Sequence, residues 1–272
     1  MNKLRLSIKS LVITLAALGS TVAIAQDKKN NKPKYILHKA NTRGGSQADW
    51  LRSNHTFSFN DYYDPERMNF GALRVLNDDW IKGGSGFGMH PHRDMEIITI
   101  PLHGSLAHED TKGGKGVIRA NGKTFTIQTM TAGTGIYHSE KNGSETDSST
   151  LLQIWVNPDK RGLTPSYGQK DFEMSAQKGK WLTIVAPDDA VAMPIHQRSW
   201  FVIGEFKKGE HVNYTLHDKR NGLYLFLIEG GAKWNGMELN RRDGIGIWNT
   251  DKIALQTTAP SRYLIMEVPM KD

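Results

Sequence analysis

From Tyr35 onward the chain alternates short apolar runs with Gly, Asn and Asp, and no long stretch keeps a helical period. Residues 35–37, 70–76, 97–102, 124–128 and 151–156 read as strands, apolar and bounded by turn formers. Strands at this spacing predict an all-β sandwich or barrel. Asn121-Gly122 signals a two-residue hairpin, and the glycines at 113, 114 and 116 a looser turn. Helix is expected only as one or two short turns, for instance around residues 46–51.

The second half repeats the first. The apolar run that ends at Gly230 matches the one that ends at Gly104, and residues 243–251 echo 132–140. Laid out this way, Gly133 falls on Gly244, Gly135 on Gly246, His138 on Asn249 and Glu140 on Asp251, while His90 and His92 fall on Leu216 and Asp218. Two barrels of common design follow, a first over residues 35–165 and a second, degenerate one over 166–272. Their junction is expected near 157–180, where Pro158, Gly162, Pro165 and Gly168 interrupt any regular element. His217 lies beside the lost first pair, but Asn249 offers no imidazole to complete a second site.

Residues 1–25 carry Lys3, Arg5 and Lys9, an apolar run from Leu11 to Leu18, and Ala23-Ile24-Ala25 before Gln26. A basic region, a short apolar core and a small-x-small site predict a secretory signal peptide, too short to anchor by spanning. An exported protein, periplasmic or secreted, is therefore expected, with residues 26–34 as a polar linker. The formal charge of +7 falls to +4 without the three leader cations. The remaining charges are interspersed, which argues against a nucleic-acid partner. Cysteine is absent, so neither a lipid anchor nor a disulfide framework is available, and stability must come from an ordinary core.

The candidate chemistry lies in residues 86–96. In a strand beginning near His90, the period of two sends His90 and His92 to one face, with Asp94 and Glu96 following on it. A second pair, His138 and Glu140, has the same spacing. Three imidazoles and one carboxylate can then converge on one ion. That donor set suits a borderline divalent transition metal, and the lack of thiolate argues against a closed structural zinc site, so an open coordination position is expected.

His90-Pro91-His92-Arg93-Asp94-Met95-Glu96-Ile97, Gly133-Thr134-Gly135-Ile136-Tyr137-His138-Ser139-Glu140, His55-Thr56-Phe57-Ser58-Phe59 and residues 73–79 together resemble the pirin family of bicupins. Dense motif matches cover residues 42–167, with a looser likeness to the end. The resemblance implies a bicupin fold whose first barrel holds one metal through His90, His92, His138 and Glu140. Iron as Fe(II) is the usual ion, with Mn, Ni, Co, Cu or Zn as alternatives. In the wider cupin superfamily the glutamate often comes from the first motif, near Glu96; pirins use the one after the last histidine, so Glu96 is expected to support the site or the fold. Several pirins resemble quercetin 2,3-dioxygenases, which open a flavonol ring with O₂ and release CO. This implies a flavonol or related phenol as partner, with Glu140 or a nearby carboxylate accepting the proton of its 3-hydroxyl.

Two departures from the family stand out. The leader is unusual, and residues 118–127 look longer than the usual form, a hairpin that could reshape the entrance to the site. Outside the motifs, His103 and His108 read as surface or hairpin residues, and Gly83 to Gly88 as a turn at a barrel rim rather than a phosphate loop. Phe57, Phe59, Trp155 and Trp248 read as core, although some of them at a barrel mouth would suit a flat phenolic ligand. The alternatives to a dioxygenase are a non-catalytic metalloprotein that senses redox state or holds a partner, and an exported small-molecule binder.

Overall fold

The computed structural model describes residues 32–270; the expected leader and most of the linker lie outside them. The chain opens with β1 (Lys34–His38) and continues through β2 (Gly44–Gln47), β3 (Leu51–His55), β4 (Leu73–Ile81), β5 (Gly86–His92), β6 (Glu96–Asp110) and β7 (Lys115–Ala120). Then come β8 (Thr124–Thr131), β9 (Ile136–Asn142), β10 (Ser149–Val156), β11 (Ser166–Glu173), β12 (Leu182–Val185) and β13 (Trp200–Phe206). The last strands are β14 (His211–Thr215), β15 (Asn221–Glu229), β16 (Gly231–Trp234), β17 (Met237–Asn240), β18 (Gly244–Trp248), β19 (Lys252–Thr257) and β20 (Ser261–Pro269). Helix among the described residues is limited to 3-10 turns at Ala40–Thr42 and Met174–Gln177. Residues 46–51 are not one of them: Ala48 and Leu51 exchange backbone hydrogen bonds across a tight turn between β2 and β3.

The two halves have the same wiring, and the fold is the expected bicupin. In the first, β11-β8-β6-β10-β4-β3-β2 form a large sheet, and β5, β9, β7 and the far half of β6 close the barrel. Gly104, with φ 74°, bends β6 from one sheet into the other. In the second, β1-β18-β15-β20-β13-β12 face β14-β19-β16-β17, and Gly230, with φ 93°, makes the equivalent bend between β15 and β16. Left-handed residues at such corners favour glycine, because a Cβ strains the backbone there.

Strand pairing redraws two expectations. β1 adds to β18 of the second barrel, and β11 adds to β8 of the first, so one edge of each barrel's large sheet is covered by a strand from beyond the 165/166 boundary. Covering an edge removes unpaired backbone groups, which explains why the boundary in space differs from the one in sequence. The repeat is also shifted from the glycine alignment. By wiring, β18 matches β8 and β19 matches β9, so Asn249 (φ 61°) takes the place of Gly133 (φ 46°) rather than of His138. Gly-x-Gly occurs before one strand and inside another, and the spacing alone could not tell them apart.

The largest core lies between the barrels, where Leu76, Ile98, Leu152 and Ile154 of the first sheet meet Phe201, Tyr224, Phe226 and Leu264 of the second. The alternate residues of each strand face inward, and here the barrels differ. The second is filled by Val212, Tyr214, Leu225, Ile247, Ile253, Leu255 and their neighbours. The first has small apolar clusters toward its ends, around Leu51, Ile81 and Leu151 and around Ile97, Met130 and Ile136. Between them runs a polar row set by register: His55 opposite Asn77, Asn77 opposite Gln153, Gln153 opposite Thr99, Thr99 opposite Gln128. A buried polar row must be bonded or serve a ligand.

Candidate metal centre

β5 pairs with β9 so that His90 stands opposite His138, and His92 follows on the same inward face. The ring centroids of His90, His92 and His138 form a triangle with sides of 4.4, 4.8 and 4.9 Å. One nitrogen from each lies within 4.8 Å of the others. Glu140, next inward on β9, falls outside that mutual limit but within it for a second group, His108, His138 and Glu140. His138 belongs to both.

The strand does not continue to Asp94 and Glu96 as expected. β5 ends at His92, and the chain turns at Asp94 (φ 49°), whose Oδ1 accepts the Gly162 N–H at 2.7 Å. Glu96 begins β6 away from the imidazoles, buried, accepting from Thr131 Oγ1 at 3.0 Å and the His196 N–H at 3.2 Å. It ties the first barrel to the 196 segment.

The donors are preset for a cation. His90 Nδ1 is 2.7 Å from the Gly88 carbonyl, which can only accept, so Nδ1 carries the hydrogen and Nε2 keeps its lone pair. Burial, and then the neighbouring imidazoles, lower His92 to about 4 and His138 to about 2, so both are neutral near pH 7. The His138 Nε2 is buried with no hydrogen-bond partner, an orphan in the centre of the cluster. Burial raises the Glu140 carboxyl, an effect opposed chiefly by Gln153.

Two hydrogen-bonded chains hold these side chains from behind. Asp110 Oδ1 accepts the Lys112 and Gly114 N–H groups at 2.7 and 3.0 Å, and its Oδ2 lies 3.0 Å from His108 Nε2. Asp110 is thus the acceptor, His108 Nε2 the donor, and the His108 Nδ1 lone pair faces His138 Nδ1 at 3.3 Å. His138 must donate there, which leaves its Nε2 free for a metal. On the other side Gln128 Nε2 donates to Thr99 Oγ1 at 3.3 Å, Thr99 Oγ1 to Gln153 Oε1 at 3.0 Å, and Gln153 Nε2 to Glu140 Oε2 at 2.8 Å, while the single Tyr167 hydroxyl hydrogen lies between Gln169 Oε1 at 2.8 Å and Gln128 Oε1 at 3.3 Å. Tyr167 stacks on His108 with centroids 4.3 Å apart, joining the two chains.

His108 is therefore not a surface residue; it is buried behind the cluster, whereas His103 is exposed. The signal for it was present, since His108 and Asp110 have the same i, i+2 spacing as His90 and His92. Thr99, Gln128 and Gln153 had no comparable signal, because their meeting depends on register across strands distant in sequence.

The cluster opens into a cleft of about 500 Å³ lined by His90, His92, Glu140, Phe59, Trp155 and residues of β3 and β4. Trp155 stands edge-on to His92 at 4.8 Å and to Phe59 at 5.2 Å. Phe57 and Trp248 pack in the core between the barrels. None of the residues that line the cleft comes from 118–127, so that hairpin does not form its mouth. In the second barrel the matching hairpin, β14 with β19, points Val212, Tyr214, Ile253 and Leu255 inward. His217 there stacks on Trp200 and bonds Glu267 Oε2 at 2.9 Å, serving the fold.

Three imidazoles, two of them held neutral by burial, with an orphaned nitrogen among them and a carboxylate beside them, fit a divalent transition metal in a bicupin barrel. Comparison with known proteins gives the family. Residues 37–156 match the model for pirin, and residues 183–268 that for the quercetinase C-terminal cupin domain. A quercetin 2,3-dioxygenase of Escherichia coli K12 is 39% identical over 233 residues, covering 86% of this chain and 98% of that one. A pirin-like protein of Caulobacter vibrioides is 42% identical over 226 residues, covering 82% and 95%. The crystal structure of the E. coli bacterial pirin YhhW in complex with nickel(II) superposes with a TM-score of 0.81 at 37% identity, covering 88% of this chain and all of that one. The chain belongs to the pirin family.

Proposed function

We propose that this protein is a metal-dependent dioxygenase that opens the ring of a flavonol such as quercetin with O₂ and releases CO. The observation that carries the reading is the convergence of His90, His92 and His138, with Glu140 beside them, at the base of a cleft walled by Phe59 and Trp155. The name of the E. coli relative supports the same substrate class. His90, His92, His138 and Glu140 would hold the ion, Fe(II) being our first assignment. A divalent transition metal supplies Lewis acidity toward a flavonol oxygen and an open position for chemistry with O₂.

The chain's own residues do the rest. Phe59 and Trp155 offer faces and edges to a flat ring system and keep water from it. Glu140 Oε2 accepts from Gln153 at 2.8 Å, whereas Oε1 has the longer bond from Thr99 Oγ1 at 3.5 Å with Gln128 also close to the carboxylate, so Oε1 is the less firmly held oxygen and the one we assign to the metal or to the substrate's 3-hydroxyl proton. Burial makes that carboxylate a stronger base than one in water. We also propose export, on the leader pattern of residues 1–25; N-terminal sequencing of secreted or periplasmic protein, showing a start at Gln26, tests it.

The test of function is metal analysis followed by oxygen uptake with quercetin after loading with iron, manganese, nickel, cobalt or copper. About one ion per chain is expected, with quercetin-dependent uptake, both lost in His90→Ala. A bound ion without uptake for any metal would sink quercetin as substrate, and no bound ion under any loading would sink the ligand assignment.

A further inference from the structure

We propose that Ser53, Asn77 and Asp79 form a hydroxyl-binding subsite in the same cleft, which holds phenolic hydroxyls of the substrate other than the one at the metal. The inference rests on the flavonol reading above and adds to it the part of the substrate that the metal does not touch.

The register puts these residues together. Ser53 on β3 stands opposite Asp79 on β4, His55 stands opposite Asn77, and all four line the cleft. Ser53 Oγ donates to Asp79 Oδ1, and among the described residues no hydrogen bond reaches Asp79 Oδ2. Asp79 is 5% exposed, and the charged groups that act on it are Asp78 and Glu140, both acidic. Burying a carboxyl beside two others, with one hydroxyl for support, is costly for the fold. Burial is the main reason its pKa is pushed up to about 7.

Several polar atoms around it are buried and unbonded. Asn77 Oδ1 and both His55 ring nitrogens are buried without a hydrogen-bond partner, and so is Trp155 Nε1. Among the other buried acids, Glu96 also keeps one unpartnered oxygen, but its Oε2 accepts two hydrogen bonds. Glu267, fully buried, accepts from Tyr214 OH, the His217 and Asp218 N–H groups and Asn221 Nδ2. Nor does a barrel require polar groups here, since β13, which matches β4, carries Val202 in the second core. The polar atoms on this wall therefore point to a ligand rather than to folding.

A phenolic hydroxyl suits them because it donates and accepts at once. Asp79 Oδ2 can take its hydrogen, and the Asn77 amide can give one to its oxygen. The aromatic wall leads there from the metal, ring beside ring: His92 to Trp155, Trp155 to Phe59 at 5.2 Å, and Phe59 to His55 at 5.1 Å. A planar substrate anchored at the imidazoles would extend along this wall.

The test is anaerobic titration of metal-loaded protein with quercetin and with 3-hydroxyflavone, followed by flavonol absorbance. The second ligand keeps the 3-hydroxyl and 4-keto groups but lacks the other hydroxyls. Wild type is expected to bind quercetin about 10-fold tighter or more, as one or two hydrogen bonds to a charged group would give. Asp79→Asn is expected to bring the affinity ratio close to one, and Ser53→Ala to reduce it severalfold, with metal content equal to wild type in both. A ratio unchanged in both variants overturns the subsite and leaves the flavonol reading standing. Binding of neither ligand by wild type overturns both.

Discussion

The Nδ1 atoms of His108 and His138 lie 3.3 Å apart, so only one of the two can carry a hydrogen. Asp110 decides which. Its carboxylate accepts from His108 Nε2, leaving His108 Nδ1 as acceptor, His138 Nδ1 as donor and His138 Nε2 as the free lone pair. In Asp110→Asn the amide oxygen can still accept the Lys112 and Gly114 N–H groups, but the amide nitrogen then donates to His108. The tautomers reverse along the chain and put a hydrogen on His138 Nε2. Metal affinity, read by competition with a chromogenic chelator, is expected to fall about 10- to 100-fold. An affinity equal to wild type would show that Asp110 does not set the tautomer.

What the sequence disclosed and what it hid divide along a physical line. His90, His92, His138 and Glu140 were legible because a strand's period of two converts sequence spacing directly into a shared face. The two barrels were legible from recurring apolar runs and from Gly104 and Gly230 at equivalent bends. The Gln153–Glu140 bond was not legible, nor the facing of Ser53 and Asp79, because both follow from register between strands whose turns leave several pairings open. The exchange of β1 and β11 was hidden for a related reason: an edge strand's partner is fixed by which sheet edge is open, not by its own residues.

Gly133 occupies the corner that delivers β9. With φ 46°, it strains any other residue, and a Cβ would press on the Leu163 carbonyl, which accepts the Thr134 N–H at 2.8 Å. Gly133→Ala is expected to cost about 2–4 kcal/mol, seen as a fall of several degrees in thermal midpoint. Gly122 is the control. It has φ 83° with nothing within 4 Å of a Cβ, so Gly122→Ala should cost only about 1 kcal/mol. Equal losses would mean that the Leu163 contact yields and that conformation alone matters.

Asp78 joins the halves of the molecule. It lies 3.3 Å from Arg43 Nη2 and 3.2 Å from Arg242 Nε, and the two guanidinium side chains are only 5% and 10% exposed. Removing the carboxylate in Asp78→Ala leaves two buried cations facing each other. A loss of about 3 kcal/mol is expected in chemical unfolding, more than for an exposed pair such as Lys115 with Glu109. If both changes prove equally mild, the arginines are satisfied by their other contacts, including the Ile228 carbonyl 2.8 Å from Arg242 Nη1.

Asp79 gives a pH signature that requires no substrate. In metal-free protein, burial raises its pKa from 3.8 to about 7. Between those values the folded state binds a proton that the unfolded chain has released, so stability must fall as pH rises through this window. The contribution is fully present below about pH 4 and lost above about pH 7. Its upper bound is about 4 kcal/mol, from about three pK units at 1.36 kcal/mol each. Asp79→Asn keeps the shape, still accepts from Ser53 and carries no charge, so chelator-treated variant is expected to match wild type near pH 4 and to exceed it near pH 8. Thermal melts at the two values check the sign. A variant less stable than wild type at pH 8 would mean that the ionised carboxylate has a favourable partner in the folded protein, and the case for a wall waiting for a ligand would weaken with it.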